Sequence, residues 1–397
     1  MLALLFSITL VELFIGGGGR WITLGPITLR MVLFAVCLVV GWLAALFPKR
    51  QYGGLPLAYG FVMTYLLIHL SGLIAGAARG TDSSIMFTEL QQSLYWLAAP
   101  FFACTLSSTA YIQRTATLVQ QAGILLALAY IALVVGLATG VLTFLSLYSV
   151  LSENGEVVSR GGGFLVYKGD LYLGIALVFL VSIRGRYWLP AVLVISAALI
   201  LTLTRGFILS TSVAILMLLA LQRRKRAFLF GLLLTAIAAA LVWRYLPSLN
   251  EGLSSNRGLS NQQRLDDMDY LWNNTSLRTV LFGEGFGSLI DGRINIENTF
   301  LWALWKLGLL GLAFWLTPLV LCMTYFAAIP NSRDSRLACA FLFGTILVYT
   351  QTLTNPYLNN PIGLSFVLLS VFSLRTIAKD GNAGRLPRIA NGKRAHV

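Results

Sequence analysis

Charge is scarce in this 397-residue chain: Asp, Glu, Lys and Arg make up 11% of it against 57% for hydrophobic residues, and the mean hydropathy is +0.78. Soluble domains carry roughly 25% charged residues, so this scarcity excludes a water-soluble globule; no single core could hide so much apolar surface. Histidine is nearly absent, with His69 inside an apolar run and His396 near the C-terminus. His69 has no evident partner and reads as a core residue rather than a base. The four cysteines, Cys37, Cys104, Cys322 and Cys339, all fall within apolar runs and form no C-x-x-C spacing, which leaves no zinc or disulfide framework and makes them small hydrophobes. Internal repeats and low-complexity linkers are also missing. The glycine-rich stretch Gly283-Glu284-Gly285-Phe286-Gly287 is not followed by Gly-Lys-Ser/Thr, so it is no nucleotide-binding P-loop.

What is present is apolar runs of about 15 to 28 residues, the length a helix needs to cross roughly 30 Å of hydrocarbon. They predict an all-α polytopic membrane helical bundle with spans near 2–16, 27–47, 55–77, 93–112, 117–146, 169–183, 187–203, 207–221, 227–246, 299–329, 337–354 and 362–375. That makes about twelve; the alternative is eleven, because the first run is short and carries Glu12. The first run lacks the basic start of a cleaved signal peptide and is read as a retained helix. The expected organisation is nine helices over 1–246 with an outer loop at 147–168, a large outer loop at 247–298 too small to be an independent domain, three helices over 299–376, and a basic tail, read as disordered, at 377–397.

Orientation follows from Lys and Arg in the short loops. One face collects Lys49, Arg50, Arg114, Arg184, Arg186, the run Arg223 to Arg226, Arg333, Arg336 and the basic residues from Arg375 onward, which is 17 of the 29 Lys and Arg. Only Asp334 and Asp380 join them among the 15 acidic residues, so essentially the whole net charge of +14 lies there. That face is expected to be cytoplasmic, with both termini on it. A pI near 9.9 is thereby explained without nucleic acid as a partner.

The polar residues of the opposite, outer face carry the chemistry. The stretch from Tyr187 to Leu221 is apolar except at Thr204-Arg205-Gly206, yet basic clusters flank both of its ends. A single 35-residue helix would be about 52 Å long and would put those clusters on opposite faces, so a tight helical hairpin with Arg205 at its tip is predicted. A cation there needs a partner or a ligand; the plain alternative is that it snorkels to lipid phosphate. Arg160 precedes Gly161-Gly162-Gly163, whose backbone N–H groups are able to turn toward an anion or simply form a loop. Arg264 opens a segment to Trp272 that reads as a short helix. Its Asp267 and Asp269 superficially match a metal-binding D-x-D, although acidic residues in a first helical turn are the simpler account. Glu297 and Asn298 precede a long apolar helix: Asn298 is an expected N-cap, and Glu297 a carboxylate placed to accept a proton. Lys306, about two turns further on, is expected to pair with Glu12 or face a cavity. Asn355, Tyr357 and their neighbours form an outer turn that is able to meet a sugar but is also ordinary turn chemistry.

Arg160 before a glycine cluster, Leu-Thr-Leu-Thr-Arg205-Gly, Arg264 followed by Leu281-Phe-Gly-Glu-Gly-Phe-Gly287, and Glu297-Asn298-Thr-Phe-Leu leading to Gly308-Leu-Leu-Gly311 occur in this order over roughly residues 155 to 325. The arrangement resembles the O-antigen ligase and O-antigen (Wzy-type) polymerase superfamily. The resemblance implies an inverting, metal-independent glycosyltransferase of GT-C-like architecture, with a periplasmic loop subdomain, in a bacterial inner membrane. Its donor would be a glycan on undecaprenyl pyrophosphate, and no cofactor is implied. Arg160, Arg205 and Arg264 would bind the pyrophosphate, Glu297 would activate the acceptor hydroxyl, and Asn298, Asn355 and Tyr357 are further candidates for substrate contact. Its implied partners are the lipid-linked donor, the glycan acceptor, membrane lipid and a chain-length regulator. Ligases resemble this pattern with a histidine just before the motif Asn; Glu297 stands there instead, which favours the polymerase over the ligase that transfers glycan to lipid A-core.

The competing class is a transporter of lipid-linked oligosaccharide. Transporters bind near the bilayer midplane and often contain repeats, whereas here the ionisable residues gather toward the outer end. A scaffold without chemistry would tolerate replacement of Arg205 and Glu297.

Overall fold

The computed structural model describes residues 2–382 apart from 18, 20–21, 26, 48–51, 145–156, 160–164, 203, 226, 230, 234, 236–253, 295 and 333–334. The described helices, in chain order, are α1 (Leu2–Ile15), α2 (Leu29–Leu46), α3 (Leu55–Ala78), α4 (Ser83–Ser93), α5 (Ala99–Thr105), α6 (Thr109–Ala138), α7 (Leu171–Ile183), α8 (Trp188–Leu201), α9 (Arg205–Leu221), α10 (Ser254–Asn274), α11 (Leu277–Phe282), α12 (Thr299–Ala328), α13 (Arg336–Thr352) and α14 (Pro361–Asn382). Two short antiparallel ribbons, Thr23–Leu24 with Ile27–Thr28 and Val157–Ser159 with Leu165–Tyr167, are the described strands. The class is all-α, and it is built for lipid. By length and composition α2, α3, α6, α12 and α14 can each cross a membrane, and α1, α8 and α9 are shorter apolar helices. Their outward positions are themselves apolar, as at Leu67, Ile74, Leu193, Leu209 and Leu310, the inverse of a soluble amphipathic helix.

The hub is α14. Its apolar window is 83% buried, and it packs against α5, α6, α12 and α13. Polar ties fix it at both ends: the Tyr172 hydroxyl of α7 donates to the Ile362 carbonyl at 2.7 Å, Thr376 donates to the Leu106 carbonyl at 2.7 Å, and Thr109 donates to Asp380 at 2.5 Å. The helix runs to Asn382, past the predicted end of the last span; most of the predicted basic tail lies outside the described residues. The helix α7, buried in all but its last residue, packs against α6, α8, α9 and α13.

Two sequence expectations move. The runs expected at 93–112 and 117–146 divide elsewhere: residues 94–98 form a 3-10 turn leading into the buried α5, Leu106–Ser108 is the corner, and α6 is 30 residues long. Pro100 sits in the first turn of α5, where a missing N–H costs nothing, so the proline is no boundary. The run expected at 227–246 falls largely outside the described residues. By contrast the hairpin at 187–221 forms as predicted, α8 and α9 joined through Thr202–Thr204, where Thr202 accepts from the Thr204 N–H at 3.2 Å. At the opposite ends of that hairpin Arg184 and Arg224 approach Arg336 closely, and burial followed by mutual repulsion lowers the proton affinity of both Arg184 and Arg224. This is the crowding expected on the basic face.

Glu12 does not reach Lys306. Its carboxylate takes the Arg30 guanidinium at 3.0 Å, and Arg30 also donates to the Gly17 carbonyl at 2.5 Å. The short first helix is thus clamped to α2 by a nearly buried pair.

Candidate functional site

The N-terminus of α12 is where three of the predicted residues, Arg264, Glu297 and Asn298, stand together. Asn298 has extended backbone, and its side chain accepts from the N–H groups of Phe300 and Leu301 at 3.0 and 3.2 Å. It is the N-cap the sequence predicts, and the bond fixes the direction in which residue 297 leaves the helix. Glu297 there forms an ion pair with Arg264 of α10, whose guanidinium also reaches the Thr354 carbonyl at 3.4 Å. Both side chains stay about 40% exposed, 38% for Arg264 and 41% for Glu297. A pair this wet adds little to stability, so its placement matters more for what it presents to a ligand. Arg264 lies in the middle of a 21-residue helix beginning at Ser254, not at the start of a short one as predicted.

The hairpin delivers Arg205 to the same turn. Arg205 is the first residue of α9 and is exposed. A Cβ placed on the adjacent Gly206 would stand 3.0 Å from Gln351 Nε2 and 3.5 Å from Thr354 Oγ1. The chain at Arg205 therefore lies on one side of Thr354 while Arg264 binds its carbonyl from another. Gln351, buried in the last turn of α13, accepts from Ser210 at 3.0 Å and links α9 to this turn. Asn355 donates to Thr354 Oγ1 at 3.3 Å. Tyr357 is buried, with its ring 6.0 Å from that of Phe207, and so supports the first turn of α9 from beneath. Arg160 and its glycines lie outside the described residues.

The glycine-rich loop turns out to be a brace for α12. Gly283, Gly285 and Gly287 all have positive φ, as does Gly308 inside the helix, where φ is 66° and ψ is −162°. The helix breaks there, and the loop accepts the loose ends. Glu284 N–H donates to the Trp305 carbonyl at 2.6 Å and Gly285 N–H to the Lys306 carbonyl at 2.9 Å, while Phe286 N–H donates to the Gly72 carbonyl of α3 at 3.0 Å. Non-helical backbone at membrane depth is tolerated only when its polar groups are satisfied in this way. Lys306 is fully buried and pairs at 2.5 Å with Glu89 of α4, which also accepts from Gly287 N–H at 2.7 Å. His69 is a core residue as expected, Nδ1 lying 2.9 Å from the Tyr65 carbonyl and the ring packing near Phe286.

Asp267 does not act with Asp269 as a D-x-D pair. It is mid-helix, nearly buried and ion-paired with Arg293, whereas Asp269 is exposed. Burial pushes the Asp267 carboxyl above its ordinary value, against the pull of Arg293. Among the described residues no group of three or more His, Cys, Asp or Glu is placed to hold a metal. Sequence reasoning missed Glu89, Gln351, Thr354 and Arg293. Gln351 was detectable as an amide inside an apolar run; the pairings of Glu89 and Arg293 carry no local signal.

Residues 190–316, which include Arg205, Arg264 and Glu297, match the family described as Wzy_C, O-antigen ligase. A curated protein of Shigella flexneri named O-antigen polymerase is 27% identical over 382 residues, covering 94% of this chain and 95% of that protein. No solved structure matches. The resemblance carried by the sequence motifs thus holds for the O-antigen ligase and polymerase superfamily, on the polymerase side.

Proposed function

We propose that this chain is an inverting membrane glycosyltransferase that joins undecaprenyl-pyrophosphate-linked repeat units of O-antigen or a related surface polysaccharide at the periplasmic face. The observation that carries the reading is the meeting of Arg264 and Glu297 beside the turn that also flanks Arg205. In the reaction, Glu297 takes the proton of the acceptor hydroxyl as its oxygen attacks the anomeric carbon. The glycosidic bond to phosphate breaks on the opposite side, and the departing pyrophosphate carries away the electron pair. Two guanidiniums beside a partly dehydrated site stabilise that charge as it develops. Arg264 contacts both partners: its ion pair with the base gives way as the donor phosphates arrive, so the carboxylate is released where an anomeric carbon is in place. Asn298 orients Glu297, and Tyr357 and Asn355 hold the turn. Arg160 is proposed as the third phosphate ligand on the resemblance alone. A helix total near twelve and GT-C-like architecture belong to the same reading.

The test is deletion of the gene in its host, complemented with wild type, Arg205→Ala or Glu297→Ala, with surface glycolipid resolved on a gel. A polymerase leaves single-repeat glycolipid in the deletion strain, and neither variant restores the ladder. Loss of all repeats from the acceptor, with lipid-linked polymer accumulating, would identify a ligase. An unchanged ladder would overturn both.

A further inference from the structure

Three helix ends come together on the basic face. α7 stops at Ile183 and α9 at Leu221, with Arg184 and Arg224 just beyond them, and α13 starts there with Arg336 as its first residue. These helices pack against one another, and the Ser182 hydroxyl donates to the Arg336 carbonyl at 2.6 Å, which holds the ends of α7 and α13 at one level. Arg224 feels the positive charge of both other guanidiniums, and Arg184 that of Arg336. Among the described residues no carboxylate forms an ion pair with any of the three.

Helix dipoles account for part of this gathering. The carbonyl ends of α7 and α9 attract Arg184 and Arg224, and Arg184 donates to the Val181 carbonyl at 3.4 Å. Arg336 stands at the opposite, positive end of its helix, where a cation is repelled and an anion attracted. Arg184 has a φ of 49°, a left-handed cap position that suits glycine, so the chain carries a guanidinium where its backbone favours no side chain. Nη1 of Arg224 is buried without a hydrogen-bond partner, and so are both amide atoms of Gln222 at the same helix end. Buried polar atoms left open in this way cost free energy until something fills them. The occupant must bring an anionic acceptor to the guanidiniums, and a donor as well as an acceptor to the amide.

Depth in the membrane narrows the choice. The Arg184 guanidinium lies over the Trp188 ring at 4.8 Å and Arg186 over Tyr187 at 5.3 Å, and aromatic rings of these two kinds mark the headgroup zone. Leu189 and Leu229, five residues beyond Arg184 and Arg224, are exposed, so hydrocarbon begins next to the cluster. A basic pocket between helix ends at that level meets lipid heads. We infer that Arg184, Arg224, Arg336 and Gln222 form a binding site for the head of an anionic phospholipid, phosphatidylglycerol, whose phosphodiester bridges the guanidiniums while its glycerol hydroxyls satisfy the amide. The bound head ties together α7, α9 and α13. The opposite end of α9 carries Arg205, and that of α13 leads into the Thr354 turn. The inference does not depend on the proposed reaction.

The purified full-length protein, stripped of lipid in detergent, is melted with and without phosphatidylglycerol, and bound lipid is counted by native mass spectrometry. Arg224→Gln relieves the repulsion, so without lipid it should melt no lower than wild type. Phosphatidylglycerol should raise the melting temperature of wild type and scarcely move Arg224→Gln or Arg336→Gln, each binding at least about fivefold more weakly, the weight of one basic residue at a membrane surface. Arg114→Gln, at an exposed arginine of the same face, should bind as wild type does. Equal loss in Arg114→Gln would reduce the site to general surface charge and overturn the inference, as would the lack of any lipid effect on wild type. Equal stabilisation by phosphatidylethanolamine, whose head has no net charge, would overturn selection by charge, and equal stabilisation by inorganic phosphate would reassign the site to a soluble anion. Wild type should prefer phosphatidylglycerol to phosphatidylmethanol, which has the same charge without the glycerol hydroxyls, and Gln222→Leu should abolish that preference; a preference that survives the change would overturn the role given to the amide.

Discussion

Two ion pairs in this protein look alike on paper and behave oppositely. Lys306 and Glu89 are fully buried, so removing one partner strands a charge in the membrane, which costs roughly 3–5 kcal/mol. Glu89→Ala should therefore lower the melting temperature sharply, and the double replacement Glu89→Met with Lys306→Met should recover most of it; a thermal-shift assay on purified protein reads both. Arg264 and Glu297 are each about 40% exposed, so Glu297→Gln should leave the melt within about 1 kcal/mol of wild type while lowering the proposed polymerisation by roughly 10²- to 10⁴-fold, the usual weight of a general base, the role proposed for Glu297. Asp267 adds a pH signature. Burial holds its carboxyl above the ordinary value, so its contribution to stability is full below the ordinary aspartate range and declines as pH rises through the raised one. Melts between pH 4 and 7 should show that decline in wild type and not in Asp267→Asn. Lys306 could be singled out from sequence because an intramembrane lysine is rare, but its partner could not. Glu89 lies in an unremarkable polar segment, and only the tertiary fold brings α4 against α12.

At the scale of elements, the legible features were those with a charge constraint at both ends. The α8–α9 hairpin follows from basic clusters that must share a face, and Asn298 is marked by its residue type and position. The corner at Leu106–Ser108 carries no such mark, since apolar residues continue on both sides and Pro100 falls harmlessly inside a first turn. The break at Gly308 was equally silent, because a glycine in an apolar run is common and only the bracing loop reveals that the helix stops there. A Cβ at Gly308 would meet the Leu281 carbonyl oxygen at 2.5 Å and Gly283 N at 2.8 Å, and the backbone there, φ 66° and ψ −162°, lies in a region essentially reserved for glycine, which costs other residues on the order of 1–3 kcal/mol. Gly308→Ala should accordingly push the loop away from α12 and reduce polymerisation although every proposed reacting group is untouched, with the ladder and a proteolysis time course at residues 277–294 read together.

For the whole molecule, the concentration of Lys and Arg at one end sets a testable sidedness. All four cysteines are buried, so a new one reports cleanly. Gln262→Cys, at an exposed position before Arg264, should react with an impermeant maleimide in cells whose outer membrane alone is opened, and Arg223→Cys only after lysis; the reverse pattern would invert the proposed orientation of the site. The bundle also has a temporal property. Its hub, α14, is the last described helix to emerge during synthesis, while α5, α6, α12 and α13 all pack against it. The earlier helices are made before it, so the polar ties to Ile362, Thr376 and Asp380 stay open until it arrives. Locking of the bundle is therefore expected to wait on α14: a chain stalled before residue 361 should leave inserted but unlocked helices, exposed to membrane proteolysis.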